Sequence, residues 1–136
     1  MDNLPVNTPE SFGDAASGDS ATDMTVFSLL DDAPALNPAR PRPAVQRLLQ
    51  GDGANLIVFH FAPGQDLPDH KAAHPITVQC VSGSLEFECG GTRKVMQPGQ
   101  VFHLRAYVPH AVYCPADAPA EGSILLLTML TGERHQ

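Results

Sequence analysis

From residue 44 onward the chain is cut at short intervals by turn signals: Gly51-Asp52-Gly53, Pro63-Gly64, Ser82-Gly83, Gly90-Gly91 and Pro98-Gly99. Between them stand short runs rich in β-branched and aromatic residues, such as NLIVFHF at 55–61 and ITVQCV at 76–81. Runs this short exclude long amphipathic helices, whereas extended strands closed by tight turns fit them. The expected strands are 44–50 and 55–61, joined as a hairpin, then 75–81, 84–89, 92–97, 101–105, 109–114 and 123–130. MTVFSLL at 24–30 adds a first strand. About nine short strands predict an all-β sandwich or barrel.

The segment ahead of these strands has a different character. Residues 1–23 contain five acids and no Lys or Arg, with Gly, Pro, Ser and Ala filling most of the rest. So little apolar surface cannot offset the entropy of ordering, and the segment reads as a flexible acidic tail. Four prolines between 34 and 43 bar a helix or a central strand, so 24–43 reads as a first strand followed by an extended surface connector. The barrel itself then occupies 44–136. A formal charge of −7 on 136 residues repels a phosphate backbone, which argues against a nucleic-acid partner. No apolar run approaches a membrane-spanning length and no signal-peptide pattern opens the chain, so no membrane partner is expected and a cytoplasmic location is. The three cysteines, Cys80, Cys89 and Cys114, match neither a disulfide framework nor a paired zinc motif, in keeping with a reducing compartment.

Two stretches carry the candidate chemistry, FAPGQDLPDHKAAHPITVQCVSG at 61–83 and PGQVFHLRAYVPHAVYC at 98–114. If the two are neighbours in a barrel, His70, His74 and His110 meet in one cavity. Their spacing resembles the two motifs of the cupin superfamily, small jelly-roll β-barrels of the double-stranded β-helix type. Gly64 is followed by five residues and then His70, and Gly83 closes the first motif; Gly99 is followed by ten residues and then His110. The resemblance covers about residues 44–130 and implies a barrel with an interior divalent-metal position.

The departures fall on the ligands. Ala72 stands where the family has its second histidine, Ile76 where it has glutamate, and Cys114 where it has asparagine. On an unbroken strand His74 shares the face of His70. Four extended residues span about 13 Å, however, so a bend near Pro75 is required before both imidazoles can reach one ion. Three neutral imidazoles would suit zinc, iron, nickel or copper and not calcium or magnesium. Alternation along 74–80 places Ile76, Val78 and Cys80 inward and Gln79 outward, and alternation along 110–114 places Val112 and Cys114 inward. These five are the expected ligand-pocket residues. His60 and His103 alternate with apolar inward residues and fall outside the site, as does His135 near the C-terminus. Arg105, Tyr107 and Tyr113 fall near the barrel mouth by the motif alignment.

Two functions fit. In one, the histidine-lined pocket binds a small organic ligand, with or without a divalent transition metal. In the other, a metal-dependent oxygenase or isomerase acts on a small organic substrate. A homodimer is expected, formed through exposed strand edges or the proline-rich connector.

Overall fold

The computed structural model describes residues 3–16 and 23–132. Its elements are strand β1 (Val6–Asn7), a 3₁₀ turn (Pro9–Phe12), the short helix α1 (Leu29–Asp32) and nine further strands. These are β2 (Ala44–Gln50), β3 (Ala54–Phe61), β4 (Asp66–Ala72), β5 (Ile76–Ser82) and β6 (Glu86–Cys89). After them come β7 (Thr92–Val95), β8 (Phe102–Leu104), β9 (His110–Tyr113) and β10 (Ser123–Leu130). One five-stranded sheet has the order β1-β4-β9-β6-β7, the other β2-β3-β10-β5-β8.

The two sheets close over a core that follows from strand alternation. Ile57, Phe59 and Phe61 of β3 point inward with Ile76 and Val78 of β5, Phe87 of β6, Val112 of β9 and Leu125 of β10. Val58, between them, faces out and forms a second cluster with Leu48 and Ile124. Side chains of opposite parity are thus both buried, which is why NLIVFHF and SILLLTML lack a clean polar face. Phe27, Leu29 and Ala33 cover that outer cluster.

This covering role corrects the reading of 24–30 as a strand. No strand forms there. Phe27 and Leu29 are used as apolar patches on the outside of the β3–β10 sheet, and the chain turns into α1 after Ser28, whose amide donates to Asp32 Oδ2 (2.8 Å). The tail expected over 1–23 is corrected over its first part as well. Val6 and Asn7 pair in parallel with Lys71 and Ala72 of β4, and Phe12 meets Phe59 edge-on at 5.5 Å between ring centroids. Composition understated this segment because a few contacts, not a periodic apolar face, hold it. Residues 17–22 lie outside the described residues. The connector at 34–43 carries neither helix nor strand. It is pinned from beneath by buried Gln65, whose amide donates to the carbonyls of Asn37 (2.7 Å) and Arg40 (2.8 Å) while its Oε1 accepts from the Ala62 amide (2.7 Å).

The β2–β3 hairpin and the β6–β7 hairpin form where the turn signals place them. β4 is the one long strand not marked in advance, since Pro68 and the charged residues of DLPDHKA disguise it. Among the described residues, no helix is long and apolar enough to cross a membrane.

Candidate ligand-binding site

β4 and β9 run antiparallel, with Leu67 opposite Val112 and His70 opposite His110. From Leu67 to His70 is three residues, an odd step that would turn the two side chains to opposite faces. The register shift between them resolves this: Pro68 and Asp69 bulge against one residue of β9, and the parity of β4 is reset. Proline is tolerated there because a bulge leaves ladder positions unpaired. Leu67 and His70 therefore both face the interior, beside Val112 and His110.

The two imidazoles lie edge to face with centroids 4.2 Å apart, and Phe87 stacks under His110 at 5.4 Å and 15°. Each ring is oriented in the same way. His70 Nδ1 lies 2.8 Å from the Pro68 carbonyl oxygen, and His110 Nδ1 lies 2.9 Å from that of Val108. A carbonyl oxygen can only accept, so each Nδ1 carries the proton and each neutral ring keeps its Nε2 lone pair for another partner. Both rings are held neutral. Burial pushes the His110 pKa down to about 4, with the neighbouring His70 acting in the same direction against the weaker pull of the Val108 carbonyl and Asp69. Burial also lowers His70, opposed by the Pro68 carbonyl and by Asp69.

Around the pair the wall is apolar. Ile76 and Val78 of β5, Val112 of β9, Leu125 of β10 and Phe59 of β3 line it. Ala72 and Ile76, which occupy the second-histidine and glutamate positions of the cupin motif, line the same cavity. The positions that bear metal ligands in the motif are thus kept as positions and filled with hydrocarbon.

His74 does not join His70 and His110 in the cavity lining, which corrects the three-histidine site. The expected bend near Pro75 does form, since β4 ends at Ala72 and β5 begins at Ile76 in the other sheet, but it carries the chain across to that sheet and does not bring His74 into the cavity lining. His74 sits on the corner between sheets, where strand parity does not carry over. Among the described residues, no group of three or more His, Cys, Asp and Glu side chains is placed to hold a metal ion. Zinc and its neighbours ordinarily take at least three protein ligands, so the two imidazoles present do not fit a resident zinc, iron, nickel or copper ion.

Cys80 and Cys114 are also corrected. Both have inward parity, but each stands two residues beyond a lining residue, about 7 Å further along its strand, and neither lines the cavity. Cys80 Sγ donates to the Ser82 carbonyl (3.4 Å) and Cys114 Sγ to Ser123 Oγ (3.7 Å). Burial raises both thiol pKa values, so neither is an activated nucleophile. His60 and His103 lie outside the cavity as expected, bonded to backbone carbonyls of Pro34 and Glu121 and of Ile76 respectively. Tyr113 faces away from the cavity, with the Arg93 guanidinium over its ring at 3.7 Å. Tyr107 is 56 % exposed.

Sequence reasoning missed Phe87, Phe59, Asn7 and Phe12 as wall residues. The first two were accessible from alternation along β6 and β3. Asn7 and Phe12 come from the acidic N-terminal stretch, where no periodicity marks them.

Two facing five-stranded sheets with a histidine pair on adjacent strands form this barrel, and solved structures share the fold. An RmlC-like cupin from Desulfovibrio desulfuricans matches with TM-score 0.65 at 21 % identity, over 79 % of this chain and 97 % of its own. A conserved protein with a double-stranded β-helix domain from Klebsiella pneumoniae gives 0.64 at 19 % identity, over 83 % and 95 %. The DMSP lyase DddQ from Ruegeria pomeroyi gives 0.58 at 18 % identity, over 70 % and 50 %. At these identities the likeness is one of fold. The family model of the cupin domain, Cupin_2, matches residues 57–127, just over half of the chain, and the protein belongs to that family. No curated protein matches it in sequence.

Proposed function

We propose that the protein binds a small, largely apolar organic molecule bearing one hydrogen-bond donor, a hydroxyl or N–H group, which it gives to the histidine pair. The supporting observation is the tautomer arrangement: both Nδ1 atoms are occupied by backbone carbonyls, which leaves two Nε2 acceptors on a wall that, Asn7 apart, is hydrocarbon. A ligand pocket of this kind takes affinity from its apolar lining and selectivity from a few placed polar atoms. Both rings are neutral at pH 7, so the pair favours a neutral donor and offers no charge to a carboxylate or phosphate.

Phenol and toluene have nearly the same shape and differ by a donor. Titration calorimetry is expected to show phenol bound more tightly by about 1 kcal/mol, roughly fivefold, the net value of one hydrogen bond. His110→Phe keeps the stack on Phe87 and removes one acceptor, and it is expected to reduce that preference. Equal affinity for phenol and toluene in the unmodified protein would overturn the proposal.

A further inference from the structure

The cavity beside the histidines has a volume of only about 40 Å³. That is room for one or a few waters, whereas an apolar cavity that holds benzene measures about 150 Å³ and organic-ligand pockets run to several hundred. A ligand of the proposed class therefore needs part of the wall to leave. The barrel strands cannot supply it, since their side chains form the core. The N-terminal segment can.

We infer that residues 5–13 are a displaceable cover and that Phe12 sets the size of molecule the cavity admits; this rests on the ligand-binding reading above. The segment contributes Asn7 and Phe12 to the cavity wall, and the Phe12 ring is itself benzene-sized. The segment pairs along the edge of the barrel through Val6 and Asn7, opposite Lys71 and Ala72 of β4. The Lys71 amide donates to the Pro5 carbonyl (3.0 Å) and the Ala73 amide to that of Asn7 (2.9 Å). Within the 3₁₀ turn only Pro9 is buried.

A further tether is Arg47. Its Nη1 donates to the Gly13 carbonyl (3.1 Å), its own carbonyl accepts from the Ala16 amide (2.8 Å), and the Glu10 carboxylate lies 3.7 Å away. Arg47 is 4 % exposed, so losing every partner would be costly, but Nε and Nη2 stay bonded to Asn55 Oδ1 at 3.1 and 2.7 Å when the segment leaves. Opening releases one guanidinium donor to water and turns β4 into an ordinary sheet edge. The barrel beneath keeps its own hydrogen bonds and its core. A ligand then competes with Phe12 for the place beside Phe59.

Toluene titrations followed by methyl NMR test this. Phe12→Ala is expected to bind toluene at least about tenfold more tightly than the unmodified protein, because the ring that fills the entrance is gone. Phe12→Leu is expected to fall between them and covers the case in which the alanine variant does not fold. Hydrogen exchange in the unmodified protein supplies a second reading. The Lys71, Ala73 and Ala16 amides are expected to exchange together, about 100-fold faster than those of Leu125 and Leu127 in β10. Unchanged toluene affinity in the variants, or exchange of these amides at the β10 rate, would overturn the inference. The two readings fail separately: a phenol preference with no gain in the Phe12 variants removes the cover alone. A gain in those variants without any phenol preference removes the histidine-acceptor reading alone.

Discussion

Gly83→Ala is expected to cost more than about 3 kcal/mol, against about 1 kcal/mol for Gly90→Ala in the β6–β7 turn. Both glycines have left-handed backbone, φ +84° and +59°, so both substitutions incur the steric cost that a side chain meets there. They differ in surroundings. A Cβ on Gly90 meets nothing within 4 Å, whereas one on Gly83 lies 2.6 Å from Ser123 Cα. Ser123 has no exposure and opens β10, the strand that pairs with both β3 and β5, so the backbone at that point has little freedom to retreat. Ser123 Oγ also accepts from the Ser84 amide (2.9 Å), and displacing it removes that bond. Urea unfolding of the two variants checks the difference; equal losses would show that β10 yields at this contact.

Acidification from pH 7 to pH 5 is expected to destabilise the protein by about 2 kcal/mol through His110 alone, with His70 adding to it. The folded pKa of His110 is depressed to about 4 from an ordinary 6.5, chiefly by burial. Above pH 6.5 neither folded nor unfolded protein holds the proton and the full stability is present. Between 6.5 and 4 the unfolded chain takes up the proton first, so stability falls as pH falls, and below 4 the loss from this group levels off. Carboxylates contribute at the lower end of that range, which makes the interval from 7 to 5 the informative one. In His110→Phe the slope is expected to flatten to the part due to His70 and other titrating groups. A wild-type profile that is flat, or that rises on acidification, would contradict the buried neutral pair.

Much of the fold was legible because its turns are chemically explicit. Gly51-Asp52-Gly53 and Gly90-Gly91 mark the β2–β3 and β6–β7 hairpins. The spacing from Gly64 to His70 and from Gly99 to His110 placed two imidazoles in one cavity, where they meet ring to ring. Other features could not be read from local pattern. The β4 bulge that turns both Leu67 and His70 inward is a two-strand property, visible only once β9 lies beside it. The bend near Pro75 that a three-histidine site requires is present, but as a corner between sheets that leaves His74 outside the cavity lining, and parity along β5 and β9 gives the face on which Cys80 and Cys114 lie and not their depth. Phe12 lies in a stretch whose composition suggests little, and Phe27 and Leu29 in one that reads as a strand, yet each covers apolar surface formed by strands distant in sequence.

The most direct test is a long-range ¹⁵N–¹H correlation spectrum of the imidazoles at pH 7. For both His70 and His110 the expected result is a neutral ring with the proton on Nδ1 and an unprotonated Nε2, whose nitrogen signal moves further with saturating phenol, which donates to it, than with saturating toluene. An imidazolium, or a neutral ring protonated at Nε2, at either position would mean that the pair does not present acceptors to the cavity.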